Sequence, residues 1–127
     1  MKYLFDTHIF LWALDNHPLL SAEARYLLGE SGEELCFSPV NVWEIANQAG
    51  TKHPLDTTAE EFRQSLMDGG FRELPVTSRH AAVVETLPRI HGDPFDRMLV
   101  AQAMVEGCIL VTHDDNVAKY GSFVRRV

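Results

Sequence analysis

Short continuous apolar runs alternate with stretches of helical spacing along the chain. Tyr3-Leu4-Phe5 stops at Asp6-Thr7, the pattern of a buried strand ending on a carboxylate. Ile9, Phe10, Trp12, Ala13 and Leu14 then predict a short helix closed by Asp15-Asn16-His17-Pro18, with Trp12 read as core packing. Ser21 is placed to cap a helix over Ala22–Leu28, and Leu35-Cys36-Phe37 reads as a second strand. From Ser38 to Gly50 the spacing of Val42, Ile45, Ala46 and Ala49 predicts a helix with one apolar face and Gly50 as its stop. Periodicity does not settle which way Glu44 points on that helix. Thr58-Ala59-Glu60-Glu61 has capping-box form and starts a helix to about Met67, ended by Asp68-Gly69-Gly70.

Glu73-Leu74-Pro75-Val76 predicts a short peripheral strand, since Pro75 has no N–H for a ladder. Thr77 or Ser78 caps a helix through Ala81, Ala82, Val83, Val84 and Leu87, ended by Pro88. In the next helix Pro94 is the first residue, Asp93 the N-cap and Asp96 the third helical position. Phe95, Met98, Leu99 and Gln102 share helical spacing, Ala101 and Ala103 suit close packing, and Gly107 is the stop. Cys108-Ile109-Leu110-Val111-Thr112 is another buried strand, followed by His113-Asp114-Asp115-Asn116, a helical turn and an edge strand at Phe123-Val124. Continuous apolar strands separated by helices predict an α/β protein whose parallel sheet is covered on both faces.

The 127 residues suit one domain, and the 46% hydrophobic and 23% charged composition is that of a soluble globular chain. No apolar run approaches the ~20 residues of a membrane span. Met1-Lys2-Tyr3-Leu4-Phe5-Asp6 lacks signal-peptide character, so a cytoplasmic location is expected. Cys36 and Cys108 sit in apolar strand runs and are expected to be buried free thiols. The net charge of −7 argues against coating nucleic acid through a basic surface, although Arg79, Arg89, Arg97, Arg125 and Arg126 leave material for a local groove.

In an open parallel sheet, ligands bind beyond the carboxyl ends of the strands. Asp6 and Asp114 fall at such ends, and Asp93 and Asp96 open a helix on the same edge, so four aspartates converge. For Asp93 and Asp96 ordinary helix-start chemistry is the competing explanation. Clustered carboxylates raise one another's pKa unless a cation compensates, and oxygen ligands suit Mg2+ or Mn2+ better than zinc. His8, His91 and His113 flank the acids without zinc-motif spacing.

Four segments, Leu4-Phe5-Asp6-Thr7-His8, Ser38 to Ala46, Asp93 to Ala103 and Leu110-Val111-Thr112-His113-Asp114, resemble in order the four acidic motifs of PIN-domain proteins. Size and motif wording are most similar to the VapC toxins of bacterial and archaeal toxin–antitoxin pairs. The resemblance implies a three-layer α/β/α PIN-like fold with a mainly parallel sheet of four to five strands, in a single domain over residues 1–127. It implies a metal-dependent endoribonuclease with Asp6, Glu44, Asp96 and Asp114 at the catalytic positions. Mg2+ or Mn2+ is then expected on Asp6, Asp96 and Asp114, with Glu44 and Asp93 as further candidates. RNA, a VapB-like antitoxin and a second copy of the chain are the implied partners. Thr7, His8, Arg97 and Thr112 are substrate-contact candidates, and the two threonines could instead orient carboxylates. The competing readings are an acidic cation-binding interaction module and a phosphatase with Asp6 as nucleophile. Against the phosphatase, Asp6-Thr7-His8 has no second carboxylate two residues on.

Overall fold

The computed structural model describes residues 1–29, 31–48 and 57–127, and at its centre lies the first strand, β1 (Lys2–Phe5). β2 (Glu34–Phe37) and β4 (Ile109–Thr112) flank it, β3 (Arg72–Glu73) lies outside β2 and β5 (Val124–Arg126) outside β4. Every pairing is parallel, and Leu4 is aligned with Cys36 on one side and Leu110 on the other. Side chains alternate across the pleat, so Tyr3, Phe5, Phe37 and Val111 enter one core while Leu4, Cys36 and Leu110 enter the second.

Helices α1 (Thr7–Leu14), α2 (Ala22–Gly29) and α4 (Ala59–Asp68) fill the first core with Ile9, Phe10, Ala24, Leu27, Phe62 and Leu66. The second core takes Leu99, Val100, Ala101 and Ala103 from α6 (Pro94–Glu106) and Val117 from α7 (Asp115–Ala118), with α5 (Ser78–Val84) packed on α6. α3 (Pro39–Gln48) serves both, through Ile45 and Val40. The expected three-layer α/β/α architecture and mainly parallel five-stranded sheet are therefore present. The capping box at Thr58 also forms, and Thr77 rather than Ser78 caps α5 with His80 in the reciprocal position. Gly107 ends α6 at φ 68°, a left-handed conformation that glycine adopts without a Cβ penalty.

Four expectations need correction. The predicted strand at Glu73–Val76 is only Arg72–Glu73, because the Leu74 carbonyl accepts from Gln102 Nε2 at 3.0 Å and Pro75 has no donor. α5 stops at Val84 rather than Leu87: Thr86 and Leu87 donate to carbonyls three residues back, and Arg97 Nη2 donates to the Val84 carbonyl. The last strand is Val124–Arg126, so Phe123 only precedes it. On α3, Ala46 is exposed rather than on the apolar face expected of it, and Asn41 and Glu44 are buried. The proposed apolar position Ala49 and stop at Gly50 lie outside the described residues. Both cysteines are buried free thiols, and burial pushes Cys108 up to about 11. Among the described residues no helix is long and apolar enough to cross a membrane.

Candidate active site

The strand order turns about β1: the chain builds outward to β2 and β3, then crosses to β4 on the other side. A crevice opens beyond the carboxyl ends of β1 and β4, the usual ligand position in such sheets. Asp6 follows β1 as the N-cap of α1, with Oδ1 accepting from His8 N at 3.1 Å. Its Oδ2 accepts from the Thr112 hydroxyl at 2.9 Å, and the Thr112 oxygen accepts from Asp114 N at 3.0 Å. Thr112 is wholly buried, so it orients a carboxylate and ties the two strand ends together; it is not a surface for substrate. Asp114 caps α7 and is exposed.

Asp93 caps α6 by accepting at Oδ1 from Phe95 N at 2.9 Å and Asp96 N at 3.1 Å. One turn in, Asp96 is 8% exposed, and its Oδ2 lies 3.1 Å from His91 Nε2. Toward the Asp96 carboxylate His91 Nε2 can only donate, so Nδ1 of the neutral ring accepts from the Tyr120 hydroxyl at 2.8 Å, which in turn accepts from Arg97 Nη1 at 3.0 Å. His91 therefore carries its proton on Nε2 and donates to Asp96. Arg97, expected from sequence as a substrate contact, also donates to the carbonyls of Pro88 and Val84, so its guanidinium acts as a structural tie, and it does not line the cavity. Tyr120→Phe should cost about 1–2 kcal/mol in urea unfolding, because it strands an Arg97 N–H and the His91 Nδ1 acceptor.

Glu44 reaches the same place from α3. The residue is 6% exposed, and its Oε1 has no hydrogen-bond partner among the described residues. Thr7, also buried, is held by Asn41 Nδ2, which donates to its hydroxyl at 2.9 Å; like Thr112 it is an internal support. Asp6, Glu44, Asp93, Asp96 and Asp114 together line one cavity of about 320 Å3, shared with His8, Trp12 and His113. Burial pushes the Asp96 carboxyl up to about 7, with the Asp6 charge adding to it and the His91 hydrogen bond opposing. Burial likewise raises Glu44, against a smaller pull from the Thr7 hydroxyl. His8 is raised, chiefly by its hydrogen bond to Asp6.

The PIN domain profile matches residues 3–122. The chain belongs to the PIN-domain family. No curated protein matches it, but solved structures do. A crystal structure of VapBC2 from Rickettsia felis bound to a promoter DNA fragment superimposes with TM-score 0.70 at 14% identity, covering 100% of this chain and 99% of that one. A toxin–antitoxin complex from Klebsiella pneumoniae gives TM-score 0.67 at 18% identity, over 98% of this chain and 99% of the other. At these identities the likeness is one of fold.

The donors of this PIN domain suit a hard divalent cation: they are carboxylate oxygens, three of the acids are buried, and Glu44, which lines the cavity, has an Oε1 without a hydrogen-bond partner. Among the described residues no three groups form a ready-made coordination cage, so the case rests on charge, burial and donor chemistry. Asp6, Asp93, Asp96 and Asp114 meet on one edge of the sheet, as their places at strand ends and a helix start predict. His91, one of the three histidines expected to flank the acids, is the support of Asp96, while Tyr120 behind it carried no signal in the sequence. Trp12, expected as core packing, rests on the first core but presents itself to the cavity rather than being enclosed.

Proposed function

We propose that this PIN domain is a divalent-metal-dependent endoribonuclease, hydrolysing RNA phosphodiester bonds as the toxin of a VapBC-type toxin–antitoxin pair. The observation that carries the reading is the cavity at the sheet's switch point, which five carboxylates line, with the buried carboxyls of Asp96 and Glu44 both raised and Glu44 Oε1 left without a partner. Asp6, Asp96 and Asp114 would hold Mg2+ or Mn2+, with Glu44 and Asp93 beside them. A divalent ion supplies Lewis acidity toward phosphoryl oxygens and lowers the pKa of bound water. Glu44, which lines the cavity, would accept a hydrogen bond from attacking water and then its proton. Thr112 and His91 hold Asp6 and Asp96 in orientation by donating to one oxygen of each. The phosphatase alternative is weakened by the same contacts: both Asp6 oxygens already accept hydrogen bonds, and among the described residues no lysine lines the cavity.

The structural neighbours, one VapBC2 and one described as a toxin–antitoxin complex, support a VapB-like antitoxin as partner. A homodimer is also proposed, although Ala24, Leu27, Phe62 and Leu66 already pack on the sheet, which leaves exposed Tyr26, Trp43, Met67 and Met104 as available apolar surface. The test is incubation of a mixed small-RNA pool with purified protein in Mg2+ or Mn2+. Cleavage is expected, with complete loss in EDTA and recovery on metal addition. A folded protein that cuts no RNA in either ion, yet binds a protein partner, would favour the interaction-module reading.

A further inference from the structure

His8 and Trp12 are four residues apart on α1 and share one face of it. With His113 from the end of β4 they line the acidic cavity. The His17 ring stacks on the indole at 5.5 Å and 21°, while the His8 and His113 rings stand at 62° and 73° to it, with centroids 6.1 and 5.0 Å away. His113 Nδ1 lies 2.8 Å from the Val127 carbonyl, which can only accept; the proton is therefore on Nδ1, and Nε2 of the neutral ring is an acceptor.

None of these rings has a task in the hydrolysis described above, yet a nuclease site of this composition has a binding problem. The chain carries −7, five carboxylates line the cavity, and among the described residues no arginine or lysine does. Phosphate contacts, the usual source of affinity for a polyanion, are not provided by that lining. Stacking is indifferent to charge and contributes substantially per base.

We propose that Trp12, backed by His17 and edged by His113, is a nucleobase-stacking subsite that grips the base beside the scissile phosphate. The indole supplies the apolar plane, and His113 Nε2 accepts from an N–H on the base edge. This subsite rests on the nuclease reading, and the experiment separates the two. Anisotropy in Mg2+ compares a labelled 2′-O-methyl RNA hexamer with an abasic sugar-phosphate hexamer of equal length and charge. The proteins are wild type, Trp12→Leu and Trp12→Phe, with thermal melts alongside and cleavage of the RNA pool by wild type in parallel. Trp12→Leu keeps apolar packing, and should weaken hexamer binding about tenfold while Trp12→Phe stays within about threefold. The abasic hexamer should bind wild type as weakly as the RNA hexamer binds Trp12→Leu. Equal binding of base-bearing and abasic hexamers by a wild type that cuts RNA would overturn the subsite and leave the nuclease standing, whether or not Trp12→Leu folds. A wild type that neither binds nor cuts RNA would overturn both.

Discussion

Asp96→Asn should reduce RNA cleavage about a thousandfold or more, the several kcal/mol that a correctly held metal contributes to a phosphoryl transition state. It should also raise the melting temperature of the metal-free protein at pH 8. Asp96 is buried among Asp6, Asp93 and Glu44, and its carboxyl is pushed up to about 7 in the fold from an ordinary 3.8. The native state thus holds this proton more tightly than the unfolded chain does. Stability from this group is complete below about pH 4 and is lost as pH rises through about 7, where the charge is forced on a crowded site. Asparagine keeps the shape and an oxygen for His91 without the charge, so the difference between wild type and variant should grow from pH 4 to 8 in favour of the variant. Saturating Mg2+ should reverse the order, because a bound cation stabilises the native state that binds it. Differential scanning calorimetry at several pH values, with and without Mg2+, together with cleavage assays, checks each part. Full activity in Asp96→Asn would remove this residue from the site, and a variant less stable at pH 8 would show that its carboxylate is a structural support.

The largest expected effect on stability is at Asn41. This residue is fully buried; its Oδ1 accepts from Ser38 N at 2.8 Å, and its Nδ2 donates to the Phe5 carbonyl at 3.1 Å and the Thr7 hydroxyl at 2.9 Å. One amide therefore joins β1, the start of α1 and the entry to α3, the three places from which Asp6 and Glu44 are aimed. Asn41→Ala removes all three bonds in the interior and leaves a small cavity, at a cost of about 3–5 kcal/mol. Asn41→Asp preserves the acceptor for Ser38 but turns a carboxylate toward two oxygen atoms, close to a site already rich in acid, and should be no better. Urea midpoints for the two variants test this. A loss under about 1 kcal/mol for Asn41→Ala would mean the amide is dispensable as a tie.

Gln102 shows the same principle. Its position in the helical pattern is that of an apolar residue, yet its buried side chain accepts from Ser38 Oγ at 2.6 Å and donates to Leu74 O, which shortens β3. Neither the partner nor the consequence is written near residue 102, because Ser38 and Leu74 reach it only through the order of the strands.

What the chain determined locally is its set of elements and their ends. Apolar runs gave β1, β2 and β4; Asp93 before Pro94, Thr58 before Glu61 and Gly107 after α6 set helix limits through bonds that span three or four residues. The acidic edge was also legible, since carboxylates at strand ends and helix starts meet wherever the sheet is parallel. The tertiary structure decided which polar side chains are buried and what they do there. Glu44 and Asn41 turn inward and Ala46 outward because the backbone of β1 and the hydroxyl of Thr7 need partners that only α3 can bring. Arg97 is a tie because Tyr120 and two carbonyls surround it, and Trp12 faces a cavity because β4 ends beside α1. Short-range hydrogen bonds and hydrophobic spacing fix where an element begins and which residues it contains. The fate of a polar group depends on the donors and acceptors that distant strands place opposite it.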